Sequence, residues 1–145
     1  MTKIQRVKDY LLQQFRIKDL GEYALDIYMS QRTYALDILQ DTGLTGACPD
    51  KFPMEQYLKL TPDDGELLKD PVKYRRLMGR LIYLTVTRPD IAFLIRTLSQ
   101  YIQDPHKPHW DAAIQVLKYI KGSPGQGLLL PSENNLTLTA YCDSD

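Results

Sequence analysis

Three groups of residues in this chain have the types and spacing to do chemistry. The first is the stretch LTAYCDSD, Leu138–Asp145, a strand pattern carrying the acids Asp143 and Asp145 at its end. Acids presented there suit a divalent metal, but a pair of ions that activates water needs more carboxylates than this stretch holds. The second is His106 and His109, three apart at a helix start, with Asp104 and Asp111 nearby and no cysteine close. That spacing occurs in metal sites; here it favours a plainer role in capping and packing the helix N-terminus. The third is the helix pattern over residues 72–86. At 100° per residue, Tyr74, Leu77, Met78, Leu81, Ile82 and Leu84 share an apolar arc of roughly 160°. Lys73, Arg75, Arg76, Gly79, Arg80 and Tyr83 share the opposite side.

Gly79 is the anomaly of that polar side. A mid-helix glycine is worse than alanine by about 1 kcal/mol, so a close approach to its backbone is the natural reason for it. Arg75, Gly79 and Tyr83 lie four apart and form one ridge: a cation, a dent and a flat ring, flanked by Arg76 and Arg80. A nucleic-acid groove would suit it, arginines on phosphates and tyrosine on sugar or base. The wheel leaves a second reading open, in which Gly79 packs against the acidic residues 49–71 and the arginines make surface ion pairs of little worth. Other chemistries find no support. No nucleophile sits on a strained turn, and Gly122, Gly125 and Gly127 follow a helix, where a phosphate-cradling loop would precede one.

These groups need elements to hold them. Residues 2–15 read as an amphipathic helix, Ile27–Met29 as a short strand, and Gln31–Leu39 as a helix stopped near Gly43. Residues 45–70, with Pro49, Pro53, Pro62 and the turn Asp63–Gly65, read as an irregular surface connection. Three helices follow: 72–86, one opening at Thr87-Arg88-Pro89-Asp90, and one from beyond Asp104 to Lys121 with Gly122 as its cap. Short connections imply that the three pack together. Two strands, Gly127–Leu130 and Leu136–Cys142, joined by a polar turn, close the chain.

Charge is zero overall but unevenly placed. Residues 72–121 carry nine basic and three acidic groups, whereas residues 122–145 carry three acids and no base. A basic helical block is a hint of polyanion contact. There is no apolar run of membrane-spanning length and no secretory signal pattern at the start. Cys48 and Cys142, distant in sequence, suit a reducing compartment, cytoplasmic or nuclear.

Longer stretches are more specific. YRRLMGRLIYLTVTRPDIAFLIRTLSQYIQDPHKPHWDAAIQVLKYIKGSPGQGLLL, Tyr74–Leu130, resembles the C-terminal part of the reverse transcriptase of copia-type LTR retrotransposons. That family continues into a strand much like LTAYCDSD, which opens its ribonuclease H domain. VKDYLLQQFRIKDLGE and MSQRTYALDILQDTGL resemble the same polyprotein in the same order. The resemblance implies an α+β, mostly helical chain. Residues 1–44 would be a truncated palm helix and primer-grip remnant, 45–71 an acidic connection, 72–122 a three-helix thumb-like bundle, and 123–145 a two-strand ribonuclease H beginning. Arg75, Gly79 and Tyr83, flanked by Lys73, Arg76 and Arg80, would match the thumb face that tracks the minor groove of a template–primer duplex. Asp143 would match the first metal-binding aspartate of ribonuclease H, a Mg2+ ligand; Asp145 is left unassigned.

The departures from the family are as telling as the match. Its Tyr-x-Asp-Asp polymerase motif is absent, and Asp63-Asp64 sits in a Pro/Gly loop without flanking strands. DLGEYALDIYMSQ is too short to hold the family's hairpin, which needs two strands of several residues and a turn. The other ribonuclease H carboxylates are missing. The expectation is therefore a piece of a retrotransposon Pol polyprotein that keeps a template–primer-binding part, for an RNA/DNA hybrid or duplex DNA, with neither activity alone. The alternative is a small helical interaction module, recruiting a protein partner through its last strand or the apolar surface a missing palm would cover.

Overall fold

The computed structural model describes residues 27–54 and 59–131, with the helical residues 6, 7, 9, 10 and 13. Its order is strand β1 (Ile27–Met29), helix α1 (Arg32–Asp41), helix α2 (Pro71–Leu84), a 3-10 turn (Pro89–Ile91), helix α3 (Ala92–Ser99), helix α4 (Lys107–Gly122) and strand β2 (Leu128–Leu130). The chain is mostly helical with a small antiparallel sheet, as the sequence predicts. No helix among the described residues is long and apolar enough to cross a membrane.

Local chemistry explains most boundaries. The helix α1 ends in a left-handed Gly43 (φ 72°). The Leu44 amide reaches back to the Leu39 carbonyl at 2.8 Å and the Gly43 amide to that of Gln40 at 3.0 Å, so the last carbonyls are satisfied. The helix α2 starts on Pro71, with the Asp70 carboxylate accepting from the Lys73 amide at 3.2 Å. The helix α4 starts at Lys107, beyond Asp104 as expected, from an extended His106 that bridges to Leu67. Pro105 accepts from the Leu68 amide at 2.8 Å and Lys107 donates to Glu66 at 2.8 Å. Gly122 proves to be the last helical residue, not the cap, and Ser123 takes that position.

Three features of the packing go beyond what the sequence shows. The bundle has four described helices, because α1 buries Ala35, Ile38 and Leu39 in the same core as Tyr74, Met78 and Leu81 of α2 and Val116, Leu117 and Ile120 of α4. A fully buried side chain of this size stabilises by about 1.5–3 kcal/mol, so α1 is integral to the bundle. The strand β2 pairs with β1 in the register Ile27↔Leu130, Tyr28↔Leu129 and Met29↔Leu128. The strand expected at Leu136–Cys142, the turn at Ser132–Asn135, Asp143, Asp145 and most of the helix expected at residues 2–15 lie outside the described residues. Finally, the acidic connection, irregular and mostly exposed among its described residues as expected, is tied to the bundle. Asp50 donates to the Lys118 carbonyl at 3.2 Å, Lys121 Nζ reaches the carbonyls of Thr45 (2.6 Å) and Ala47, and Leu60 and Leu68 pack on the core.

Candidate nucleic-acid interface

The candidate residues all sit on α2 and on its polar side, but they do not act alike. The buried arc is narrower than the wheel implies: Tyr74, Leu77, Met78, Leu81 and Leu84 are buried, whereas Ile82 is 46% exposed. Ile82 occupies the edge of the apolar arc, and none of the helices α1, α3 and α4 reaches far enough round to cover it.

Two arginines serve as struts. Arg75 donates from Nε to the Ile102 carbonyl at 3.1 Å and from Nη2 to that of Gln103 at 3.0 Å, tying α2 to the chain leaving α3. Arg80 leans the other way, pairing with Asp41 at 2.5 Å and lying over the Tyr34 ring at 5.4 Å. Its charge thus sits at the C-terminal end of α1, where the helix dipole favours a cation. The Tyr83 ring meets Tyr34 edge-on at 5.2 Å. Lys73 Nζ lies 5.2 Å over the Trp110 ring of α4. Arg76 is exposed and makes no hydrogen bond or ion pair among the described residues.

Between these groups the dent is real. A Cβ built on Gly79 meets nothing within 4 Å. Among the described residues of 49–71 none comes within 4 Å of that position, and the acid that Arg80 meets belongs to α1.

The paired histidines take the plainer role. His109 is fully buried, accepts at Nδ1 from the His106 amide (2.9 Å), and points Nε2 at the Thr61 carbonyl (3.0 Å). Its ring stacks on Tyr101 at 3.9 Å. Burial pushes its pKa below the ordinary histidine value, and the nearby His106 adds to this against the opposing Thr61 carbonyl and Asp64. The Tyr74 hydroxyl, donating to the Leu98 carbonyl at 2.8 Å, has its pKa raised, chiefly by burial. No three His, Cys, Asp or Glu side chains converge as a metal site among the described residues, and Asp143 lies outside them.

Two residues escaped the sequence reading. Arg88, 1% exposed, forks onto the Asp90 carboxylate (2.8 and 2.9 Å), donates to the Ser123 carbonyl at 2.9 Å and lies over Tyr119. Burial alone would raise the Asp90 pKa, but the hydrogen bonds and charge of Arg88 outweigh it and lower it. An arginine before a helix start reads as exposed from sequence; only the fold closes over it. Trp110, partly buried against the core, lines two grooves.

With this geometry in place, similarity to known proteins is informative. The chain is 39% identical, over 98% of its length, to the retrovirus-related Pol polyprotein from transposon RE2 of Arabidopsis thaliana. It is 38% identical, over 99%, to that from transposon RE1 of the same plant. The polyprotein from transposon TNT 1-94 of Nicotiana tabacum is 29% identical over 98%. The chain belongs to the copia-type Pol polyproteins. This Pol segment spans 10%, 11% and 12% of the lengths of those three relatives. The first alignment runs over 153 positions against 145 residues in the chain, so that relative carries residues within the match that this Pol segment lacks. No protein-family model and no solved structure matches the chain.

Proposed function

We propose that the helical body of this Pol segment is the template–primer-binding part of a retrotransposon reverse transcriptase, with α2 as the thumb helix that lies along the duplex. The carrying observation is the open backbone at Gly79. The residue weakens the helix and nothing described in the chain occupies the space it leaves. A partner outside the described residues accounts for it, and the surrounding Arg75, Arg76, Arg80 and Lys73 suit a polyanion. An RNA/DNA hybrid or duplex DNA is the proposed ligand. With no Tyr-x-Asp-Asp motif in the sequence, the segment supplies binding and not polymer synthesis. Asp143 is proposed as the first carboxylate of a ribonuclease H centre, where Mg2+ would activate water once further carboxylates completed the site.

The test is fluorescence anisotropy of a labelled RNA/DNA hybrid at low and moderate salt. Arg76→Glu is the sharpest charge reversal, since Arg75 and Arg80 also tie the bundle together. Expected are weak binding by the parent, a fall in affinity with salt, and further loss in Arg76→Glu. Equal affinity of the parent and Arg76→Glu at low salt would remove the α2 face from the duplex and favour the interaction-module alternative.

A further inference from the structure

Residues 60–68 cross the start of α4 as a strap. Besides the backbone pairs of Leu68 with Pro105 and Lys107 with Glu66, the Tyr101 hydroxyl donates to the Leu60 carbonyl at 3.0 Å. Gly65, left-handed at φ 77°, brings its backbone so near Pro108 that an added Cβ would stand 2.9 Å from that ring's Cδ. His109 joins the strap to the helix. Its Nδ1 accepts from the His106 amide at 2.9 Å, so the neutral ring carries its proton on Nε2 and donates it to the Thr61 carbonyl at 3.0 Å. The first bond caps α4 and the second holds the strap.

This arrangement has no place for a second proton. A hydrogen on Nδ1 would face the His106 N–H, donor against donor, and the flat stack on Tyr101 at 3.9 Å fixes the plane of the ring. The ring can charge only by leaving its slot. One wall of the slot is easily moved: residues 61–67 are exposed, so little burial holds them, whereas the helices around His109 belong to the packed core. The titratable groups facing the ring are His106 of its own helix, edge-on at 5.8 Å, Asp64 of the strap and Tyr101 just beyond α3. Arg75 of α2 is engaged by the carbonyls of Ile102 and Gln103, and Lys107 by Asp111. Burial holds the closed ring below the ordinary histidine value, with His106 adding to it, against the Thr61 carbonyl and Asp64.

We propose that His109 is the pin of an acid-released clasp: proton uptake at Nδ1 breaks the cap on His106 and frees residues 60–68 from the start of α4 while the helical core stays folded. The clasp is fully closed above pH 6.5 and opens as pH falls from there through the lower pKa of the closed ring. Leu67 and Leu68, at the far end of the strap, wall a groove of about 320 Å³ beside Lys73 and Trp110, so opening dismantles that groove. The device stands independently of the duplex-binding reading.

Amide hydrogen exchange of the full chain, followed by NMR over a pH series, tests it. Protection factors, corrected for the intrinsic pH dependence of exchange, are read at Leu68 and Lys107, the two amides that pair the strap with the chain before α4. Leu117 and Ile120, fully buried in α4, report on the core. Below pH 6.5 protection at Leu68 and Lys107 should fall by up to about tenfold per pH unit, the slope of one proton, while Leu117 and Ile120 hold theirs. In His109→Gln the amide oxygen can cap His106 without titrating, so protection at Leu68 and Lys107 should no longer depend on pH. Protection that stays constant in the parent, a fall shared equally by the core amides, or a fall that persists in His109→Gln would each overturn the clasp. Should His109→Gln not fold, the ring signals of His109 in the parent decide: they must titrate over the pH range in which the strap amides lose protection, and titration elsewhere overturns the proposal.

Discussion

Replacing Gly79 by alanine separates stability from function. The residue lies in the interior of α2, where glycine is less favourable than alanine by about 0.8–1 kcal/mol. Ordinarily that gain is offset by a clash, but here the new methyl meets nothing within 4 Å. Burial contributes nothing, since position 79 is exposed. The full propensity difference should therefore appear as added stability of about 1 kcal/mol, and as a rise in Tm of about 3 °C for a chain of this size. Urea unfolding followed by far-UV circular dichroism measures the first and a thermal scan the second. Affinity for the hybrid duplex should move the opposite way, because the methyl occupies the space that a sugar–phosphate backbone is proposed to enter. Gly79→Leu should exaggerate the binding loss while keeping most of the stability gain. If alanine destabilises the chain, something does pack on Gly79 and the open face is not open. If it stabilises without weakening binding, the dent has no part in recognition.

Three further outcomes follow from the interior. The His109 pKa is depressed, so the folded state resists a proton that the unfolded chain accepts below pH 6.5. Stability is full above that value and should decline as pH falls from 6.5 through the lower folded pKa, and His109→Gln should flatten this slope in a pH series of unfolding curves. Arg88→Ala strips the Asp90 carboxylate of its ion pair, leaving it the Tyr119 hydroxyl, and takes one of two donors from the Ser123 carbonyl, and should lower stability by about 3 kcal/mol in urea unfolding, as breaking a buried pair does. Arg88→Lys should rescue only part of it, since an ammonium cannot fork onto the carboxylate. A Cβ at Gly127 would stand 2.1 Å from the Met29 carbonyl oxygen, so Gly127→Ala should separate β1 from β2. Slowed hydrogen exchange of the paired amides at 27–29 and 128–130 should then disappear, and its persistence would contradict the pairing.

Much of the helical layout was legible because its signals are local. Asp70-Pro71 opens α2, Gly43 closes α1, and the i, i+3, i+4 repeats identify buried faces that the structure largely retains, Tyr74, Leu77, Met78, Leu81 and Leu84 among them. The polar ridge of Arg75, Gly79 and Tyr83 was legible for the same reason, as was the capping role of His106 and His109. Ile82 shows where such reasoning ends: a wheel marks which residues are apolar, not how far a neighbouring helix reaches.

By itself, then, the sequence determined which segments are helices, which side of each is oily, and the likeness to copia-type Pol polyproteins carried by an ordered run of motifs. Only the tertiary structure decided that α1 shares the core of the bundle, that β2 pairs with β1 across nearly the whole chain, and that Arg75 and Arg80 brace their neighbours. The same holds for the burial of Arg88, the empty space at Gly79 and the grooves meeting at Trp110. The reason is one of range. Propensity, capping and periodicity act over a turn or two of chain, whereas partners and open space depend on which distant surfaces the folded backbone brings within a few ångströms.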